Sequence, residues 1–418
     1  MSQLPVRLGI RQNLRQFSLL VLINSFVGAM VGLERTILPL IAEQDFGLAS
    51  KTLALSFLVS FGTVKALSNA LAGVFSEKIG RKRILVAGWL FGLPVPFLLI
   101  FGPSWNWIIL ANLLLGLNQG FCWSTTVIMK IDLAGPKQRG LAMGLNEFAG
   151  YLAVAIAAYV SALIAAQYGL RPLPFYLGIV FTISGLLLSL FLAKETSGHA
   201  QLEVEEAGLG RSSPAFGEIF LQTSWKNKNL FSCSQAGLAS NFNDGVSWGL
   251  FPLFFAAQGL RVDKIGFLAA VYPATWGITQ LLTGTLSDRL GRKWLITFGM
   301  WLQGLAIVLV ALVFEWQYRV GALFLLGIGT GMAYPTLLAG VGDAADPTWR
   351  TTAVGVYRFW RDLGYALGAI LAGVIADRLG MQGAILVVGF LTVLSGLIVA
   401  FRMQEKRLLP LLGKGPLQ

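Results

Sequence analysis

The chain has 418 residues, 55 % hydrophobic and 12 % charged, with a formal net charge of +12. A soluble chain of this length would be about 25 % charged, so the composition excludes a soluble enzyme or nucleic-acid-binding domain. The apolar residues come in runs of about 20, each long enough to cross about 30 Å of hydrocarbon, and the basic excess falls in loops, where anionic lipid headgroups are the expected neighbours.

Twelve spans follow in chain order: 16–42, 53–76, 84–103, 105–129, 141–165 and 173–193, then 229–257, 264–287, 294–314, 320–341, 353–376 and 383–401. The first lacks a small-residue cleavage site and is expected to be a retained helix. Residues 1–193 read as one six-span bundle and 229–401 as a second. Between them 194–228 is polar, with Glu203, Glu205 and Glu206, and reads as a cytoplasmic linker. Within it 215–224 is expected to form a short amphipathic helix on the membrane surface. Residues 402–418 read as a cytoplasmic tail. With both termini inside, the cytoplasmic segments hold 21 of the 32 basic residues and the outer loops 6. This bias places both termini in the cytoplasm and the protein in the inner or plasma membrane.

The two bundles repeat one unit at an offset of 211. Gly73-Val-Phe-Ser-Glu77-Lys78-Ile-Gly80-Arg81-Lys82 returns as Gly284-Thr-Leu-Ser-Asp288-Arg289-Leu-Gly291-Arg292-Lys293. The same offset carries Gly120 to Gly331, Asp132 to Asp343 and Arg139 to Arg350. Parallel repeats of this kind build one large group of transporters. Both copies fit G-x-x-x-(D/E)-(R/K)-x-G-(R/K)-(R/K), each between the second and third span of its bundle. With twelve spans, a 6+6 repeat and a central linker, the chain resembles the major facilitator superfamily. The resemblance implies an all-α membrane protein of two pseudo-symmetric six-helix bundles. It also implies that Glu77 meets the start of helix 11 and Asp288 the start of helix 5, where free N–H groups and the helix dipole favour an anion. A topogenic basic loop is the alternative reading of the motif. Many drug/proton antiporters of that superfamily carry an arginine on helix 4 and a Gly-Pro pair on helix 5. Here those places hold Asn112, four before Gly116, and Asn146-Glu-Phe-Ala-Gly150. No coupling mechanism carries over from that branch.

Ionisable groups at membrane depth cost roughly 2.5–3.5 kcal/mol each and need a reason. Helix 1 holds Glu34 and Arg35, helix 2 Lys65, helix 4 Lys130 and Asp132, helix 5 Glu147, helix 7 Asp244, and helix 11 Arg358, Arg361 and Asp362. Helices 3, 6, 9 and 12, peripheral in the superfamily, hold none. Glu34, Arg35, Lys65 and Asp244 lie nearest mid-depth, where substrate or proton binding is expected, with Glu147 as a further acid. Lys65 is the expected partner of Glu34. Asp244 follows Asn241 and Asn243 in a polar break of an apolar helix, a pattern that marks binding sites or only structural hydrogen bonding. Lys130, Asp132, Arg358, Arg361 and Asp362 read with the two loops as gate chemistry. Arg358 and Asp362, four apart, can neutralise each other, and Asp132 with Arg139 can brace a loop. Glu147 and Arg358 are repeat equivalents of opposite charge and can pair across the pseudo-twofold. Gln119 and Trp123 share a helix 4 face with Asn112, Thr126 and Lys130, which reads as a cavity wall or a helix seam.

His199 is the single histidine and lies in the linker, so no metal site or histidine catalysis is expected in the bundle. Cys122 and Cys233 imply no disulfide framework. No cofactor is expected, no nucleotide-binding loop occurs, and the chain is not expected to be an enzyme. The reading is a monomeric secondary active transporter moving a small solute by alternating access. Proton-coupled efflux of an amphipathic or anionic compound comes first. Uptake or exchange of an organic anion, and a non-transporting receptor, are the alternatives.

Overall fold

The computed structural model describes residues 7–201, 214–346 and 348–405, without the side chains of Val74, Glu77, Lys137, Thr285, Asp288, Arg289 and Thr351. The linker acids Glu203, Glu205 and Glu206 therefore lie outside the described residues, as do the two carboxylates of the signature loops.

The described regular structure is helical, and each expected span falls on a helix. The first six are α1 (Leu14–Gln44), α2 (Lys51–Ala54 and Ser56–Ile79), α3 (Arg81–Gly92 and Val95–Phe101), α4 (Trp105–Ala134), α5 (Arg139–Tyr168) and α6 (Leu173–Leu187, widening over Leu188–Leu192). The next four are α7 (Lys228–Ala257), α8 (Val262–Leu290), α9 (Arg292–Leu312) and α10 (Trp316–Ala344). The run Arg350–Arg402 is broken at Gly380, giving α11 before it and α12 after it. A short linker helix, Phe216–Leu221 and Gln222–Lys226, sits against the start of α11, where the Trp360 indole N–H donates to Ser224 Oγ at 2.9 Å.

Eight of these helices, the α11–α12 run counted once, are long and apolar enough to cross a membrane. Among the described residues, α2, α4 and α7 fall below that mark. Each carries polar side chains along its length: Lys65 and Asn69 on α2, Asn118 and Gln119 on α4, Asn241, Asn243 and Asp244 on α7. Of these, α2 and α4 line the centre together with α5, α10 and α11.

The repeat is visible in the packing. On α4, a Cβ at Gly116 would come within 2.8 Å of the Phe61 carbonyl, and one at Gly120 within 2.3 Å of Ser68 Cβ, both on α2. The equivalents 211 residues on do the same to α8. Gly327 would meet the Tyr272 carbonyl at 2.7 Å, and Gly331 the Thr279 Cβ at 2.7 Å. Glycine at these four positions lets helix backbones approach as helix packing in lipid requires.

The signature loops share a further pattern. Arg81 Nε donates to Asp132 at 3.0 Å, and Arg292 Nε to Asp343 at 2.9 Å. The expected brace between Asp132 and Arg139 is thus made to Arg81 instead, because the loop arginine reaches the end of α4 directly. A glutamate beyond the last helix of each bundle then caps the next helix start. Glu195 accepts from the backbone N–H groups of Arg81 and Lys82 at 3.1 and 3.0 Å, and Glu405 from those of Arg292 and Lys293 at 2.9 and 3.0 Å. Partial burial opposes ionisation of Glu195, but these backbone hydrogen bonds outweigh it and hold the carboxyl below its ordinary range.

Gly80, Gly291 and Gly380 have φ of 102°, 87° and 79°, a region that side chains rarely adopt. Gly380 ends a third, shortened copy of the motif: Gly373-Val-Ile-Ala-Asp377-Arg378-Leu-Gly380. This copy lies at the opposite end of the bundle from the other two. Its carboxylate reaches the start of α2, accepting from Ser50 Oγ at 2.8 Å and from the backbone N–H groups of Lys51 and Thr52 at 2.6 and 3.1 Å.

Candidate functional site

The two repeats meet along three seams: α1 with α7, α2 with α11, and α5 with α8. At the end bearing Asp377 the α2–α11 and α5–α8 seams are tight, as is the contact of α7 with α2. A Cβ on Gly373 would lie 2.7 Å from Thr52 Cα, one on Gly249 2.4 Å from Leu55 Cδ2, and one on Gly266 2.0 Å from Ala162 Cβ.

One layer further in, Arg35 of α1 reaches Asp244 of α7 at 2.7 Å, with 2 % and 1 % of each side chain exposed. The Tyr365 hydroxyl of α11 donates to the same carboxylate. Trp248 lies 5.4 Å from the guanidinium. Asp244 is thus closed off by a cation, a phenol and an indole. The polar break at Asn241–Asp244 stays helical: Asn243 donates to Gln303 at 3.0 Å, and Asn241 is buried.

The next layer is centred on Asp362 of α11. Arg361 Nη1 lies 3.2 Å from its Oδ1, Lys65 Nζ of α2 lies 3.7 Å from the same oxygen, and Asn69 of α2 donates to Oδ2. Arg361 also donates to the Tyr151 hydroxyl of α5 at 3.1 Å and lies 4.2 Å from the Tyr334 ring centre on α10. Lys65, Arg361 and Asp362 are each less than a tenth exposed. Beyond this layer, toward the two signature loops, a narrow cleft leaves about 20 Å³ of room. Trp123 and Ser124 of α4 and Arg358 of α11 complete its lining.

Several pairings expected from sequence are replaced. Lys65 partners Asp362 and not Glu34, because α2 packs on α11 at this depth. Both Glu34 oxygens are buried and accept no hydrogen bond among the described residues. Asp362 is neutralised by Arg361 and Lys65, which leaves Arg358 half-buried on the cleft wall with no carboxylate within 4 Å among the described residues. Glu147 does not pair with Arg358. It accepts from the Trp123 indole at 3.0 Å and from Asn146 at 2.8 Å, and its second oxygen has no partner among the described residues. Gln119 donates to the Val27 carbonyl at 2.8 Å and so belongs to the α1–α4 seam. Lys130 is buried and donates to the Leu20 carbonyl at 3.2 Å. Lys78 is exposed, and nothing lies within 4 Å of a Cβ built on Gly73.

Sequence reasoning missed Tyr151, Ser124 and Tyr365 as parts of this centre. The signal was helical spacing: Tyr151 is one turn from Glu147, and Tyr365 nearly one turn from Asp362. It also missed Asp377, although the motif around it is plain.

The cleft lies between two pseudo-symmetric bundles, near mid-depth, and is lined by charge from both. Comparisons with known proteins agree with that architecture. A POT family transporter crystallised with 5-aminolevulinic acid superposes with a TM-score of 0.74 at 13 % identity, over 92 % of this chain and 95 % of that one. The uncharacterized MFS-type transporter YhhS of Escherichia coli K12 is 24 % identical over 420 residues, 96 % of this chain and 95 % of its own length. Multidrug resistance protein MdtG of Citrobacter koseri is 24 % identical over 370 residues, 85 % of this chain and 86 % of its own. The family profile described as Major Facilitator Superfamily matches residues 19–232 and again 233–415. The chain is a multi-pass membrane transport protein and a member of the Major Facilitator Superfamily.

Proposed function

We propose that this member is a secondary active transporter that moves an amphipathic organic anion by alternating access. The carrying observation is the charge of the cleft. Lys65, Arg358 and Arg361 face a single lining carboxylate, Asp362. A cavity with excess positive charge at membrane depth favours an anionic group. Trp123, Tyr151 and Tyr334 add aromatic surface for an apolar portion. With the signature loops in the cytoplasm, as the basic residues favour, the tight Asp377 end is the outer gate and the cleft is reached from inside.

Proton-coupled export of an amphipathic compound is the second reading. The name Multidrug resistance protein on relatives such as MdtG supports it. So does the unpartnered Glu147 oxygen behind Trp123, where a proton or a cationic head could bind. Sealed vesicles containing the purified chain separate the two. Uptake predicts accumulation of a labelled aromatic carboxylate when the outside is made acidic. Export predicts its accumulation from the signature-loop side, driven by an opposite proton flow. No gradient-dependent movement in either arrangement sinks both, and leaves a non-transporting receptor.

A further inference from the structure

We propose that an anionic phospholipid binds at the end of the molecule that bears the signature loops, in the angle between the linker helix and α12, with its phosphate on Arg402 and Lys228. The site lies outside the cleft and does not depend on what the cleft carries.

The apolar part of the site runs along α12. Phe390, Leu394, Leu397 and Phe401 are all exposed. They recur at steps of three and four, so they form one stripe on the outside of the second bundle. In a membrane such a stripe faces acyl chains. Arg402 follows at its end. The guanidinium lies 4.3 Å from the Phe231 ring centre on α7, and its Nη2 donates to the Trp225 carbonyl at 3.2 Å. That carbonyl is left without a helical partner where the linker helix ends at Lys226. The bond uses one guanidinium N–H and leaves others for a ligand. Lys228 comes one turn before Phe231, on the face of α7 that meets α12. The 2.8 Å hydrogen bond from Ser395 to Gln235 marks the same face.

Arg402 and Lys228 are exposed and have no carboxylate within 4 Å among the described residues. Lys226 is already paired with Glu218 at 3.2 Å. Glu405, a little further along the chain, accepts from the backbone N–H groups of Arg292 and Lys293. Two cations without a counter-ion at the end of a lipid-facing stripe are complementary to a phosphate that carries acyl chains. Trp225, whose carbonyl Arg402 holds, is exposed, as are Phe216 and Leu221 of the same linker helix. They supply apolar surface at the headgroup level. The first bundle differs. Aligning Glu195 with Glu405 sets Phe191 against Phe401 and Leu192 against Arg402. There the exposed phenylalanine is kept and the cation is missing.

A phosphate on Arg402 also bears on α11 through the linker helix. The Trp360 ring centre of α11 lies 5.7 Å from that of Trp225 and 6.2 Å from that of Phe220, and its indole N–H donates to Ser224. Trp360 immediately precedes Arg361 of the cleft wall. The lipid therefore steadies the end of α11 that carries Arg358 and Arg361.

The test uses the full chain in nanodiscs of equal parts dioleoyl-phosphatidylglycerol and dioleoyl-phosphatidylcholine. The photo-crosslinker p-benzoylphenylalanine replaces Phe401 in one preparation and Phe191 in another, and the lipid adducts are identified by mass spectrometry. The ratio of phosphatidylglycerol to phosphatidylcholine adducts at 401 is expected to exceed that at 191 at least about five-fold. Arg402→Gln with Lys228→Gln is expected to bring the ratio at 401 down to that at 191, and Lys194→Gln to leave it unchanged. Equal ratios at 401 and 191 in otherwise wild-type protein overturn the site, whether or not any variant folds. Enrichment at 401 that survives Arg402→Gln with Lys228→Gln places the phosphate on other cations and also overturns it. Enrichment abolished by glycerol 3-phosphate at the concentration of the lipid assigns the site to a soluble phosphate and overturns the lipid as its occupant.

Discussion

Arg35 and Asp244 stand 2.7 Å apart across the boundary between the two sequence repeats, and both side chains are buried. Removing one member of such a pair leaves an uncompensated buried charge, at a cost of about 3–5 kcal/mol. Asp244→Asn is expected to lower the thermal midpoint in detergent markedly. The double variant Arg35→Gln with Asp244→Asn is expected to recover most of the loss. A single variant as stable as wild type would show that Arg35 finds another partner.

Thiol labelling distinguishes the two central layers. Cys122 and Cys233 are both buried, so the background is low. A cysteine at position 65, on the cleft wall, is expected to react with small water-soluble methanethiosulfonates. One at position 35, behind the Asp362 layer, is expected to be protected while the Asp377 end stays closed. Equal reactivity of both positions contradicts the layering.

Gly62 and Gly185 separate movement between the bundles from stability within one. A Cβ at Gly62 would lie 2.6 Å from Tyr365 Cβ, on a helix of the other repeat. Overpacking costs about 1–3 kcal/mol, and parting of α2 from α11 relieves it. Gly62→Ala is therefore expected to widen spin-label distances at the Asp377 end with a small change in stability. A Cβ at Gly185 would lie 2.2 Å from the Trp89 ring inside one bundle. Gly185→Ala has no such relief and is expected to lower the thermal midpoint.

Asp377 gives the closed end a pH dependence. Slight burial opposes ionisation, but hydrogen bonds from Thr52, Ser50 and the backbone of Lys51 outweigh it and hold the carboxyl at about 2, against an ordinary 3.8. The closed contact therefore needs the carboxylate. Its stabilisation is full above about pH 4 and is lost as pH falls toward 2. Since Asp377 is exposed, the contact is worth at most about 1 kcal/mol. Asp377→Asn is expected to open this end several-fold more often at pH 7, by single-molecule distance measurement, and to remove the acid-induced opening. Unchanged opening at low pH in the variant would place the titration in another group.

The signature-loop carboxylates predict the opposite shift. Glu77→Gln and Asp288→Asn remove an anion proposed to face a helix start, worth about 0.3–2 kcal/mol each. Both are expected to widen distances between the signature loops and leave the Asp377 end shut. If they widen the Asp377 end instead, the two loops are not gates of the face they lie on.

The fold is legible in the sequence because its signals are local. Spans follow from runs of apolar residues, and the repeat from a constant offset. The Lys65, Asp362 and Asp244 positions stand out because charge in an apolar helix is conspicuous one residue at a time. Their pairing is not legible. Depth alone matches Lys65 to Glu34, whereas the choice depends on which face of α2 meets α11, set by glycines such as Gly62 that carry no charge to notice. Arg358 loses its expected partner for a related reason. Arg361, the immediate neighbour of Asp362, reaches that carboxylate while also touching Tyr151, and helical spacing gives no hint of that competition.

The shortened motif at Gly373–Gly380 bears on how the chain enters the membrane. In the first two copies the glycine is followed by Arg81-Lys82 and by Arg292-Lys293; in the third it is followed by Met381-Gln382. The turn, the carboxylate residue and the glycine are kept, and the cationic pair is gone. A loop of this shape works on either face of a bilayer, but a basic one resists translocation. The Met-Gln pair is what lets one joint be built with opposite orientation. Restoring Arg-Lys there would set the insertion signal of this hairpin against that of the rest of the chain, and α11 and α12 would be the helices left searching for a side.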